Sequence, residues 1–243
     1  MRRLFKLIVT IFTVVGVLVV AGVIGVAAFA NRGVKSAVES AGAKTLKVPV
    51  EVGDADVSFL GSSVGLQNLT VKNPQGYDGP VLLTLQAVTV KGDAGSVFGD
   101  SILIDTMALT GMEVFVEQKG LRNNLYEVIK PLRDAQDPIG KGLVIDKLTI
   151  SPDIVVHISL PLIPGQQSQG VTFKIPPITM TDLGRNERMD TAMLISKILL
   201  AVAERVAEQS GDILPKETLG GITGVLDKAI DLGRTIFGGK KKE

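Results

Sequence analysis

Apolar residues run unbroken at the start of the chain, alternate through its middle, and recur at three- and four-residue steps near its end. Each regime predicts a different element. An unbroken run predicts a buried or membrane-spanning helix, a period of two predicts strands, and three- and four-residue steps predict an amphipathic helix.

The unbroken run is Leu7 to Ala30, 24 residues without a charge, preceded by Arg2, Arg3 and Lys6. As a helix it measures roughly 36 Å, enough to cross a hydrocarbon core of about 30 Å. Residues 1–30 are therefore expected to be a single transmembrane anchor. The basic cluster before it favours a cytoplasmic N-terminus. Ala28-Phe29-Ala30 also suits a signal-peptide cleavage site, but secretory apolar cores are shorter, about 7–15 residues. Residues 31–46, rich in Ala, Gly and Ser, predict a helical continuation or a linker.

From residue 47 the pattern alternates. Lys47 to Val52 places Val48, Val50 and Val52 at a period of two. One longer spacing then recurs, with apolar residues at positions 1, 3, 6 and 8. It occurs as Val64, Leu66, Leu69 and Val71, then nineteen residues on as Leu83, Leu85, Val88 and Val90, and nineteen further on as Ile102, Ile104, Met107 and Leu109. A fourth copy, 41 residues later, is Leu143, Ile145, Leu148 and Ile150, and a weaker one precedes them at Val50, Val52, Ala55 and Val57. The two central positions are mostly polar: Gly53-Asp54, Gln67-Asn68, Gln86-Ala87, Asp105-Thr106 and Asp146-Lys147. In a flat strand, positions 1 and 3 would face away from positions 6 and 8. A β-bulge at the polar pair would return all four to one face and bend the strand, and repeating it would curl the sheet. The alternative is a two-sheet sandwich whose strands change sheet at that point.

Turn residues separate these strands: Asn73-Pro74-Gln75-Gly76, Asp78-Gly79-Pro80, Gly92 to Gly99, and Gly111, which divides a strand near Met107 from one near Val114. A helical insertion is expected over 123–135, with Asn124 as its N-cap. Strands near Val155 and Phe173 flank a loop rich in Pro, Gly and Gln. About eight strands, ending near Thr181, would stack to roughly 35 Å. The domain plan is an anchor (1–30), a linker or helix (31–46), a curved sheet (47–184), and C-terminal amphipathic helices with a basic tail (185–243). In the last region, Asn186 to Gln209 carries Met189, Ala192, Met193, Ser196, Leu199, Leu200 and Ala203 at helical spacing. It suits a helix packed on the sheet, with membrane-surface binding as the alternative. Leu219 to Phe237 predicts a weaker helix, and Lys240 to Lys242 a basic tail.

Composition then removes most chemistry. Net charge is +1, which argues against a nucleic-acid binder. The sequence holds no Cys or Trp and one His, His157, which excludes thiolate and multi-histidine metal sites. There is no phosphate-binding glycine loop and no nucleophile elbow. Asp105 and Asp146 share a place in two copies of the repeat and read as structural, as does His157. The Asn68-Leu69-Thr70 glycosylation sequon falls inside a strand and carries no weight. No enzymatic activity and no cofactor are expected.

Four stretches carry a resemblance. They are the basic start with one apolar span, Arg2 to Ala30; Val64 to Gly76, a strand followed by Asn-Pro-x-Gly; Ser101 to Val116, a strand pair with Gly between; and Ile178 to Gly184 followed by an amphipathic helix. With these, the chain resembles the AsmA-like family of bacterial envelope proteins, in a short form. The resemblance implies a taco-shaped β-groove held at the inner membrane and facing the periplasm. Larger relatives, with TamB-like and chorein-type bridge proteins, look like conduits for phospholipid.

The expectation is thus a mainly β protein with some α: a single N-terminal transmembrane helix, a curved antiparallel sheet forming a groove, and C-terminal amphipathic helices. It would be a single-pass inner-membrane protein with its main domain periplasmic. The groove would accommodate or transfer phospholipid, lined by the sixteen apolar residues of the four strong copies, Val64 to Ile150. Solvating a sixteen-carbon chain in water costs about 12 kcal/mol at roughly 0.8 kcal/mol per CH₂, so a continuous apolar trough suffices without specific ligand residues. The rival is a structural module whose groove is filled by its own side chains, scaffolding envelope or outer-membrane assembly through other envelope proteins.

Overall fold

The computed structural model describes residues 30–58, 61–119, 122–133, 141–159 and 170–210. The apolar run before residue 30, the weaker helix over 219–237 and the basic tail lie outside them. Among the described residues, no helix is long and apolar enough to cross a membrane.

Residues 30–46 are helical and form α1. The strands are β1 Val50–Glu51, β2 Asp54–Ser58, β3 Ser63–Lys72, β4 Val81–Gly92, β5 Ser101–Lys119, β6 Arg122–Asn123, β7 Gly142–Ser151, β8 Ile154–Ser159, β9 Gly170–Ile175 and β10 Ile178–Leu183. Helix α2 is Asn124–Arg133 and α3 is Thr191–Ser210. The strands form one open, curved sheet, so the sandwich alternative is not realised.

Several short strands are collinear. β1 and β2 both pair with β3, β7 and β8 both pair with β5, β10 continues β9, and β6 caps one end of β5. The sheet is therefore six ribbons wide: β1/β2, β3, β4, β5, β7/β8, β9/β10. Five inter-ribbon steps span about 24 Å, narrower than the 35 Å expected from eight separate strands. Its ribbons are longer instead. Gly111 does not divide one strand from another; β5 runs through it for 19 residues.

The expectation of a wholly antiparallel sheet is corrected at the same ribbon. β5 pairs parallel with β7 and β8. A parallel neighbour needs a crossover, because the chain must return to the end from which it started. Helix α2 lies on that return path, between β6 and β7. The backbone amide of Tyr126 donates to Asn123 Oδ1 at 2.8 Å, so Asn123 caps α2, one residue before the expected Asn124.

For orientation, the proximal end of the sheet holds the end of β2, the starts of β3, β5 and β7, and the ends of β4 and β10. The distal end holds the Asn73–Pro80 turn and the end of β5. Helix α1 runs along the β1/β2 edge from proximal to distal. The Val57 amide donates to Asn31 Oδ1 (2.9 Å), Lys35 Nζ donates to the Gly53 carbonyl (3.1 Å), and the Val52 amide donates to Glu39 Oε1 (2.9 Å). Residues 31, 35 and 39 lie one turn apart, so one helix face satisfies backbone groups that an edge strand would leave open.

Candidate functional site

The bends decide which side chains share a face. A first bend crosses every ribbon. Asn68 on β3 and Gly111 on β5 take left-handed φ values of 52° and 64°. Between the paired residues on either side, Asn68 stands opposite Gly53 and Gln86, and Gln86 opposite Gly111. Asn tolerates this conformation and Gly has no Cβ to oppose it. At Gly111 a Cβ would also collide with the Gln86 side chain. The line continues through Pro152-Asp153, between β7 and β8, and Pro176-Pro177, between β9 and β10. Prolines there end the ladder without leaving an amide unpaired.

A second, shorter bend lies nearer the proximal end, at Asp105, Asp146 and Asp182. None of the three joins the ladder, and Asp182 has φ 55°. Arg185 ties two of them, at 2.7 Å to Asp146 and 2.9 Å to Asp182. Register shifts occur where β4 meets Asp105, with Lys91 opposite Thr106 and Gly92 opposite Ile104, at Leu82, with Val71 opposite Leu83 and Lys72 opposite Val81, and where β5 passes from β7 to β8, with Thr110 opposite Ser151 and Glu113 opposite Val155. At Asn68, Gln86 and Gly111, and at Asp105, Asp146 and Asp182 along β5, β7 and β10, neighbouring ribbons skip one residue each and stay in register. The expected one-sided bulge is corrected to a shared interruption, which has the same effect on facing.

Because of these bends, all sixteen apolar residues face one way and join a single hydrophobic cluster. Leu66, Val71, Leu83, Leu85, Val88, Ile104, Leu109, Leu143, Ile145, Leu148 and Ile150 are buried; Val64, Leu69, Val90, Ile102 and Met107 are partly buried. Pairing sets them in rows across the sheet. One row is Ala55–Leu66–Val88–Leu109–Ile150–Ile178, and it is buried throughout. The next row toward the proximal end is Val57–Val64–Val90–Met107–Leu148–Met180, in which only Leu148 is fully buried. A third, distal row is Val50–Val71–Leu83–Val114–Val156–Phe173.

The distal half is covered from within. Helix α2 contributes buried Leu125, Val128 and Ile129; α3 contributes Leu194, Leu199, Val202, Ala203 and Val206. Helix α2 packs against β5 and α3, and α3 against β9. Asp190 caps α3 by accepting the Met193 amide at 2.8 Å. The helix begins at Thr191; of the expected stripe Met189, Leu199 and Ala203 are buried, Ala192, Met193, Ser196 and Leu200 are only partly so, and Leu194, Val202 and Val206 complete the buried face. The repeat pattern also omitted Met112, Val114 and Val116, which line β5 beyond Gly111 and are buried. Their strict alternation was the available signal.

Polar residues at the distal end serve the fold. Asn124, fully buried, accepts the Glu117 and Leu125 amides (2.9 Å each) and donates to Asn73 Oδ1 and the Phe115 carbonyl (2.7 Å each). Asn73 Nδ2 donates to the Gly79 carbonyl at 2.8 Å. The Glu117 carboxylate accepts the Asp78 and Gly79 amides and pairs with Lys119 at 3.3 Å. The Lys119 ammonium is held above its ordinary 10.5, first by its hydrogen bond to Asp78 and also by that to Glu117. Burial, then Glu127 and Glu117, push the Tyr77 phenol above 10.0. These groups lock the Asn-Pro-x-Gly turn to β5. His157 stacks on Phe115 with ring centroids 4.7 Å apart, and its Nδ1 lies 3.0 Å from Thr172 Oγ1. Among the described residues, no cluster of three or more His, Asp and Glu is placed to hold a metal ion.

What the arrangement offers chemically is apolar surface in continuous rows, closed distally and, at Ile104, Leu143 and Ile145, also at the proximal end of β5 and β7, but partly open over Val57, Val64, Val90 and Met107. Comparison with known proteins finds no matching family model, no similar curated protein and no similar solved structure.

Proposed function

We propose that the protein is a membrane-anchored, non-enzymatic carrier whose bent sheet shelters the acyl chains of phospholipid, in the bacterial inner membrane with the sheet domain periplasmic. The observation that carries this reading is the proximal row. Val57, Val64, Val90 and Met107 remain partly exposed on the inner face, at the end where residue 30 leads back to an uncharged run of 24 residues. Acyl chains need only a continuous apolar trough, and the rows have no polar interruption on that face. The resemblance to AsmA-like proteins points the same way. At about 24 Å, one sheet would shelter a lipid tail rather than bridge two membranes.

Photo-crosslinking in the full chain tests this. Benzoylphenylalanine at Met107 should give a phospholipid adduct by mass spectrometry. At Thr89, on the opposite face of β4, it should give none. No lipid adduct from Met107, with protein adducts instead, would favour the rival scaffolding role. The observation on the rival's side is the sealed distal half, where α2 and α3 fill the face.

A further inference from the structure

Among the described residues, the large apolar side chains left exposed are Val97 at 45 %, Phe98 at 90 % and Leu103 at 44 %. All three fall within one stretch at the proximal end, on and beside the 3-10 turn Ala94–Phe98 that joins β4 to β5. Scattered exposed apolar residues need no explanation, but a cluster marks an interaction surface.

The turn is wired to hold this shape. Asp93 caps it by accepting the Gly95 amide at 2.8 Å, and the Gly99 amide donates to the Ser96 carbonyl at 2.9 Å. It is also tied to the sheet. The Leu103 amide donates to Ser96 Oγ at 2.9 Å, the Asp93 amide donates to the Leu103 carbonyl at 3.0 Å, and Lys141 Nζ donates to the Val97 carbonyl. Phe98 is thus presented from a fixed platform rather than from a loose loop.

The same end of the sheet is where the chain leads back to its N-terminus. Asn31 sits against Val57, near the end of β2, and the 24-residue uncharged run ends at Ala30. Lys91 and Lys141 are balanced by Asp93 and Asp100 around the turn, so no net charge selects an anionic surface.

We propose that Val97, Phe98 and Leu103 form a membrane-docking wedge that enters the lipid surface crossed by the N-terminal segment. It gives the sheet a second point of attachment and holds the proximal row against the lipid. The inference rests on the anchor reading of residues 7–30.

The full chain, which has no cysteine, accepts single reporters. Three variants, Asp100→Cys beside the wedge, Gln75→Cys on the distal turn and Val14→Cys within the N-terminal run, are labelled with bimane and reconstituted in phosphatidylcholine vesicles carrying spin-labelled phosphatidylcholine. The Asp100 reporter should be blue-shifted and quenched by the lipid label, and the Gln75 reporter should not. Adding Phe98→Ser should drop the Asp100 quenching to the Gln75 level, and Phe98 is too exposed for that change to unfold the sheet. Quenching at Val14 with none at Asp100 overturns the wedge and leaves the anchor standing. No quenching at either site overturns both. A blue shift at Asp100 without lipid quenching, reversed as the protein is diluted in lipid, identifies a second copy as the partner and also overturns the proposal.

Discussion

Single residues set the bends, and each makes its own demand. Asn68 holds φ 52° in the middle of β3, where an ordinary L-residue loses about 1–2 kcal/mol. Asn68→Gly should therefore leave the thermal midpoint unchanged or raised, whereas Asn68→Val should cost about 2 kcal/mol or more. Equal effects of the two would show that the left-handed backbone at this site is not the constraint. Asn124 makes a different demand. Its four partners lie on β3's turn, β5 and α2, so Asn124→Ala strands buried and half-buried groups on three elements. Unfolding of the full chain in detergent should show a loss of at least about 2 kcal/mol; a change within error would mean that water replaces the side chain. Neither role could be assigned from spacing alone. The polar pair Gln67-Asn68 announced a bend, but which member would turn left-handed depends on the residue across the ladder.

The repeated strand signature was readable at the level of the element, and its lateral order was not. Antiparallel neighbours place Val64, Leu66, Leu69 and Val71 opposite Val90, Val88, Leu85 and Leu83, so the nineteen-residue spacing becomes one set of rows. The 41-residue spacing becomes another, because Ile102, Ile104, Met107 and Leu109 stand beside Leu143, Ile145, Leu148 and Ile150 in the same direction. An unreversed offset is what parallel neighbours require. Without knowing that α2 carries the return crossover, it read as one more antiparallel strand. The copies do not all bend on one line either. β3 and β4 bend at the Asn68 line, whereas the copies in β5 and β7 bend at the Asp105 line. At the sheet edge, α1 does what pattern alone could not show. Replacing Asn31, Lys35 and Glu39 together by Ala would leave backbone groups of Val57, Gly53 and Val52 open. The expected outcome is an edge that recruits other chains, seen as oligomers by light scattering where the parent protein shows fewer. An unchanged size distribution would mean that packing of α1, through Val34 and Val38, covers the edge without those bonds.

At the scale of the whole molecule, two gradients coincide. Burial of the inner face falls from the distal helices toward the proximal parts of β2, β3 and β4, while Ile104, Leu143 and Ile145 stay buried on β5 and β7, and exposed apolar surface peaks at the turn that joins β4 to β5. Both lead toward the end where the N-terminal segment joins. The sixteen apolar residues of the repeat are all on that inner face, while the helices that close its distal half are set by tertiary packing. The sequence pattern therefore located the face but not its cover. The central claim is that the face takes acyl chains, and native mass spectrometry of the full chain released from lipid nanodiscs tests it most directly. The protein should retain phospholipid adducts that Val90→Arg with Met107→Arg loses while staying folded. Identical adduct spectra for the two proteins would contradict it.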